Sequence, residues 1–410
     1  MIEQNPISYQ KHNQNNLLRK LPLEVFTIFK IFSDKIRLVG GSVRDLLIEK
    51  KVIDYDFACE LLPNDIIKIL KKNKIKAIPT GVKYGTITAV INNKNFEITT
   101  LRSDKNQNGR YCDVDFISDY EQDALRRDFT INSLYLDELG VIHDYCNGFN
   151  DLKNNIVRFI GDSESRIKED YLRILRFFRF SCSYSSSIDN SGLKACIKYK
   201  NNLTKISKER IRSELFKIIE NENLDNLYKI LYTINHNMIL EPIISAKLNL
   251  DSFRRIKIIE KKLSIKTSLI LRIAILLISK STHIQTIFKE IVATKKEKSL
   301  LNEIKNLSDS FNLDKLLHYL VFFDKKIISE ALLYKIIVLD YDIDYSLLKE
   351  KLYFINNFTV PEFPLSGHDI KKLGYKNVQI KKAILEAKNF WIENDFKKNK
   401  QELIEYLKAI

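Results

Sequence analysis

At 410 residues the chain exceeds the roughly 100–200 residues of a single domain, so two or more cores are expected, without need of covalent staples. Lys and Arg outnumber Asp and Glu 67 to 52, a formal charge of +15; this favours a polyanionic partner but equally fits a lysine-rich composition. The five cysteines form no CxxC and are odd in number, which argues against a disulfide frame or zinc site and suits free thiols in a reducing cytosol.

The start of the chain, "MIEQNPISYQKHNQNNLLRK", is polar and lacks the apolar region of a secretion signal. "IRLV" (36–39) reads as a strand, followed by a Gly-Gly turn, an amphipathic helix over Val43–Lys50 and a second strand in "YDFA". Pro63 and Asn64 mark the start of a helix in "LPNDIIKILKKN". "GTITAVINNKNFEITTLR" reads as a hairpin turning over Asn92 to Asn95, and the polar stretch "LRSDKNQNGRYCDVDF" after it as a surface loop. Beyond Asp151 the β signal fades, and apolar residues recur at three and four, as in "YLRILRFFRF" and "RIRSELFKIIE". The apolar run "TSLILRIAILLIS" contains Arg272 and is thirteen residues long. A bilayer span needs about 20, so a buried helix is expected and no membrane association. The clearest late break is "NNFTVPEFPLSGHD", rich in proline, which places a last domain after about residue 350.

Three constellations carry chemistry. Asp54 and Asp56, two apart in a strand, project to one face. Two neighbouring carboxylates raise each other's pKa unless a cation lies between them, and a hard divalent metal suits that place. A lone acidic pair is also an ordinary solvated loop. What precedes this one changes the balance: Gly40 and Gly41 end a strand and open a helix whose bare N–H groups favour an anion, and Arg44 adds a cation one turn in. The glycines match neither a dinucleotide fingerprint nor a Walker loop. Together with the acidic pair they form a triphosphate site, with Mg²⁺ on Asp54 and Asp56 and phosphates on Gly41 and Arg44. In "EDYLRILRFFR", if helical, Asp170, Arg173, Arg176 and Arg179 line one face, as salt-bridge partners or as a recognition surface. Asp170 with Arg173 complements the amino donor and ring-nitrogen acceptor shared by cytosine and adenine and inverted in guanine and uracil.

"LVGGSVRDLL", "DYD", "GTITAV…FEITTLRSD", "LRRDFTINSL", "DYCNGFNDLKNNIVRFIG" and "EDYLRILRFFRF" stand in the order seen in class II tRNA nucleotidyltransferases, the CCA-adding enzymes, and in the related bacterial poly(A) polymerases. The chain resembles that family over about residues 25–220. The resemblance implies an α+β fold: a small polymerase-β-like nucleotidyltransferase head with a mixed sheet (1–150), then an all-helical neck that reads the base (151–225), body (226–350) and tail (351–410), the last two binding tRNA. It implies Asp54 and Asp56 as catalytic metal ligands with Glu97 as a nearby third carboxylate, and Arg127 and Asp128 against the nucleotide's phosphates and ribose. The 101–116 stretch is then the loop used in switching from C to A. The implied reaction is addition or repair of the 3′-terminal CCA of tRNA from CTP and ATP with Mg²⁺, in the cytoplasm.

Rivals are a poly(A) polymerase, a CC-only or A-only enzyme, and a non-catalytic RNA-binding module. After "DYDFA" the chain runs "LLPNDIIKIL…GVKYGTITAV" in place of the poly(A) branch's Arg-rich signature, and the acidic pair, Arg44 and "EDYLR" are intact. His368-Asp369 has no His/Asp cluster around it and reads as a surface or capping pair; His143 is given no catalytic role. The basic stretch from Arg254 to Lys298, with "KKEK", is a candidate grip on tRNA phosphates or a solvated helix face.

Overall fold

The computed structural model describes residues 10–108, 111–277, 284–338 and 342–410. Contacts divide the chain into two compact units, Met1–Lys247 with Glu290–Val292, and Leu248–Lys289 with Ala293–Ile410.

The first unit is built on an eight-stranded mixed sheet. Its strands are β1 (Gln10–Asn13), β2 (Ile36–Val39), β3 (Tyr55–Cys59), β4 (Lys76–Gly81), β5 (Thr86–Ile91), β6 (Lys94–Thr100), β9 (Leu134–Leu136) and β10 (Val141–Asp144), in the order β1-β10-β9-β2-β3-β6-β5-β4. β3 and β6 pair in parallel; every other neighbouring pair is antiparallel. "IRLV" is β2, as its β-branched run predicts, and Gly40 at φ +71° lets the chain leave it for the helix Gly41–Leu47. The β5–β6 turn is tighter than expected. Asn92 and Asn93 alone form it, both at positive φ, and Asn95 already lies in β6. The stretch expected to be a loop is a two-stranded antiparallel ribbon, β7 (Arg102–Asn108) with β8 (Tyr111–Phe116); its tip, 109–110, lies outside the described residues. β7, "RSDKNQN", lacks the apolar alternation that reveals strands, whereas β8 carries it in Cys112, Val114 and Phe116.

Helices Ser163–Glu169, Arg173–Tyr184, Asn190–Tyr199, Lys208–Ile219 and Leu224–His236 complete this unit. Phe129, which precedes β9, and Phe159, which follows β10, pack on each other and on Phe177 and Phe180 of Arg173–Tyr184 at centroid distances of 4.9–6.3 Å. The segments flanking β9 and β10 and the helix Arg173–Tyr184 therefore share one aromatic core. The boundaries expected at 150, 225 and 350 all fall inside helices, Gly148–Lys153, Leu224–His236 and Tyr345–Asn357.

Among the described residues every secondary-structure element of the second unit is a helix. Of the apolar run, Leu269–Leu277 forms a helix buried from Ile270 onward; positions 278 and 279 lie outside the described residues. Arg272 is tolerated inside because the buried carboxylate of Glu260 accepts its Nε–H at 2.9 Å. Among the described residues no helix is long and apolar enough to cross a membrane. At the end of the chain Trp391 packs with Leu365, Ile370, Leu403 and Leu407. Asp369 forms a capping box with Ser366 and pairs with Lys400 at 2.6 Å, while His368 is exposed, so the His-Asp pair is a helix cap. His143, in β10, is buried against Asp137 at 2.7 Å.

"DYCNGFND" locks the segment that carries Asp128. Asp144 accepts the N–H groups of Cys146, Gly148 and Phe149 at 2.9–3.0 Å, and Asp151 accepts the Thr130 hydroxyl at 2.7 Å. A Cβ on Gly148 would stand 2.1 Å from the Thr130 carbonyl oxygen, so backbone has to move if any side chain is added. Gly148→Ala is expected to cost on the order of 2–4 kcal/mol, through backbone displacement in a packed core. Urea denaturation checks this; an unchanged midpoint contradicts the packing described.

Candidate active site

One cavity of about 680 Å³ opens in the first unit, within the size range of nucleotide pockets. Its lining sets seven arginines and Lys217 against four aspartates, with Gly40 and Gly41 at one edge. The sheet supplies one carboxylate, Asp56 on β3. In the parallel register Asp56 stands beside Glu97 of β6. Asp54 lies one residue before β3 and is exposed, as is Glu97, and neither lines the cavity. Burial, then the charges of Glu97 and Asp54, push the Asp56 carboxyl up to about 6, with Arg127 opposing. This strand edge holds oxygen donors whose repulsion the protein leaves only partly compensated, which fits a hard divalent cation. Among the described residues no three His, Cys, Asp or Glu side chains already converge as a metal cage. Asp54 and Asp56 would therefore hold such an ion together with oxygens brought by the substrate.

The opposite wall is cationic, and each guanidinium is tied to an acid. Arg44 is buried; its Nε and Nη2 donate to Asp45 at 2.9 and 3.0 Å, and its Nη1 donates to Asn132 at 2.6 Å. Arg126 and Arg127 share the fully buried Asp123, at 2.7 and 2.8 Å. Arg127 also donates to the Tyr135 hydroxyl at 3.2 Å. Asp128 takes Arg176 at 2.5 Å, Asn132 at 3.0 Å and the Phe129 N–H at 2.9 Å. Burial would raise the Asp128 carboxyl, but Arg176 and Asn132 bring it down to about 2. The expected ribose acceptor is thus not free: a sugar hydroxyl must share oxygens already taken by Arg176 and Asn132.

The expected single face through 170, 173, 176 and 179 does not form. Asp170 ends the helix Ser163–Glu169 in extended backbone, and the next helix starts at Arg173. The Asp170 carboxylate accepts the Leu172 N–H at 3.1 Å, an Asx turn that separates the two helices. Within the second helix a spacing of three turns back by about 60° each step, so the arginines fan out. Arg173 pairs closely with Glu169 and donates to the Arg166 carbonyl, Arg176 meets Asp128, and Arg179 meets Glu214 at 3.2 Å. All four residues still line the cavity, with Gly41, Arg44, Asp56, Arg127 and Asp128.

Sequence reading missed Asp123, Asn132 and Arg210. Asp123 was within reach, since it stands four residues before Arg127 at a helix end. Arg210 holds Asp170 at 2.6 Å across forty residues of chain, and nothing local announces that pair.

Comparison with known proteins agrees with this architecture. The profile described as "Poly A polymerase head domain" matches residues 36–158, and that described as "Probable RNA and SrmB- binding site of polymerase A" matches 187–244. The CCA tRNA nucleotidyltransferase 1, mitochondrial, of Mus musculus is 35% identical over 396 residues, covering 93% of this chain and 88% of that protein. A CCA-adding enzyme of Oceanobacillus iheyensis is 37% identical over 188 residues, 45% of this chain and 46% of that one. The fold matches that of the Bacillus stearothermophilus CCA-adding enzyme solved with CTP, at a TM-score of 0.71 and 22% identity over 94% of this chain and 97% of that one.

The raised carboxyl of Asp56 has a sign. Below the unfolded value, near 4, Asp56 is protonated in both states and costs the fold nothing; above about 6 it is ionised in both, and the native state bears the repulsion. Asp56→Asn is therefore expected to stabilise the chelator-treated protein at pH 7 by about 1–3 kcal/mol, the gain fading toward pH 4. Urea unfolding across that range checks it, and a gain that grows on acidification contradicts it.

Proposed function

Since the chain belongs to the CCA tRNA nucleotidyltransferase family, we propose that it completes or repairs the 3′-terminal CCA of tRNA from CTP and ATP in the arginine-lined cavity of its first unit. The observation that carries this reading is the opposition within one cavity of the Asp56 carboxylate on β3 and a cationic wall. A nucleoside triphosphate has the complementary layout: four negative charges at one end and a hydrogen-bonding base at the other.

Arg44 and Arg127 with the backbone around Gly41 bind the triphosphate. Three of the five Arg44 N–H groups are committed to Asp45 and Asn132, which leaves one on each Nη for phosphate oxygens. Asp170 and Arg173 read the Watson–Crick edge: the carboxylate accepts the exocyclic amino group of cytosine or adenine, and the guanidinium donates to the adjacent ring nitrogen. Guanine and uracil leave these groups unpaired, at a cost of about 1–3 kcal/mol each. Asp128 with Arg176 and Asn132 forms the ribose side. Asp54 and Asp56 hold Mg²⁺, with Glu97 beside them; when bound, it supplies charge stabilisation at the phosphoryl group and acidifies the attacking hydroxyl. The tRNA 3′-oxygen bonds to the α-phosphorus as the bond to the bridging oxygen breaks. Pyrophosphate leaves against guanidinium groups already in position. No covalent intermediate on the protein is required.

In this reading residues 1–150 are the head, 151–225 the neck, and 226–350 and 351–410 a body and tail that hold tRNA. Lysines such as Lys295 and Lys296, exposed at the start of the helix Lys295–Asp309, contact its phosphates. The β7–β8 ribbon serves the switch from C to A, and the protein works in the cytosol.

A tRNA ending at its discriminator base tests the assignment when offered CTP, ATP or both. Two cytidines with CTP alone, and CCA followed by a stop with both, are expected. A long adenylate tract, a single kind of nucleotide added throughout, or no incorporation overturns it.

A further inference from the structure

Tyr184, the last residue of the helix Arg173–Tyr184, lines the cavity beside Arg44. The Arg44 guanidinium carbon stands 4.0 Å from its ring centroid and the Lys50 ammonium 4.3 Å from it. Its hydroxyl donates to Asp45 Oδ1 at 2.9 Å, and Asp45 is the carboxylate that grips Arg44 through Nε and Nη2. Lys50 in turn donates to the carbonyl of Ser183, next to the tyrosine. Ring and hydroxyl thus act on Arg44 by two routes, one through its cation and one through its counter-ion, across 139 residues of chain. Among the described residues no other aromatic ring approaches Arg44 as closely; Phe180 stands at 5.3 Å.

We infer that Tyr184 is a positioning residue for nucleotide binding, aiming the uncommitted N–H pair of Arg44 at the triphosphate of either substrate. This rests on the reading of the cavity as a nucleoside triphosphate site. Removing the ring frees the guanidinium to swing about Asp45 without touching Asp170 or Arg173. Affinity is then lost for CTP and ATP alike, and the choice of base is kept.

The test uses the full chain and steady-state addition to tRNA. Tyr184→Leu is expected to raise KM for CTP and for ATP by about tenfold, the size of a partly desolvated cation–π contact. kcat should stay within about threefold and discrimination against UTP be unchanged. Tyr184→Phe, which keeps the ring, is expected to stay within about threefold of wild type in KM. In an Arg44→Ala background Tyr184→Leu should add less than about a twofold further loss, because the group it positions is gone. Should Tyr184→Leu fail to fold, phenylalanines with increasing ring fluorination at 184 weaken the ring quadrupole at nearly constant size; KM should climb stepwise at constant Tm. A flat fluorination series, losses that multiply in the double variant, or a loss confined to one base overturns the inference. Absence of CTP and ATP incorporation by the wild-type chain would instead overturn the underlying functional reading.

Discussion

Seven arginines sharing one cavity repel one another unless each is held by a carboxylate, and the first unit is organised around meeting that constraint. Asp45 holds Arg44, Asp123 holds Arg126 and Arg127, Glu169 holds Arg173, Asp128 holds Arg176, Glu214 holds Arg179 and Asp170 holds Arg210. A buried unpaired guanidinium is costly, whereas a paired one retains donors that point elsewhere. The pairs therefore do two things at once. They make the cluster compatible with a folded state, and they fix the directions in which the remaining N–H groups point. Little rearrangement is then needed when an anion arrives, the condition under which electrostatic stabilisation is most effective.

The acidic strands β3 and β6, central in the sheet, follow the opposite rule. Asp56 has Glu97 beside it and Asp54 two residues away, and its carboxyl is pushed up to about 6. Here Arg127 relieves the charge imbalance only in part, and a cation from outside would relieve the rest. In the proposed reading phosphate-binding and acidic residues stand side by side in a segment as short as Gly41–Asp56 because phosphates would answer to the basic wall and the carboxylates to a metal. The aromatic core of Phe129, Phe159, Phe177 and Phe180 keeps the two walls in one packed body. Gly148, with no room for a side chain, sets the path of the segment between them.

What could be read from the sequence was what is local. β2 and β3 declared themselves by β-branched and aromatic runs, the β5–β6 hairpin by its asparagines, and the Arg272 helix by an apolar run too short for a membrane. The chemistry-bearing residues were legible because each is a charged or glycine residue in a tight motif. Pairing over distance was not. Asp170–Arg210, Asp128–Arg176 and Arg44–Asn132 join residues 40, 48 and 88 positions apart. The break after Asp170 was hidden because an Asx turn leaves no mark in a pattern of threes, and β7 because its polar residues carry no period-two apolar signal, although β8 does alternate at Cys112, Val114 and Phe116.

In the proposed reading one cavity joins a triphosphate site indifferent to the base with a base-reading pair, Asp170 and Arg173. Equilibrium binding of CTP, ATP, UTP and GTP, with magnesium, to the wild-type chain and to Asp170→Ala tests it most directly. The account predicts that wild type binds CTP and ATP at least about tenfold more tightly than UTP and GTP, and that in the variant all four fall within about threefold of one another. A variant that keeps the wild-type preference, or a wild type that has none, contradicts it.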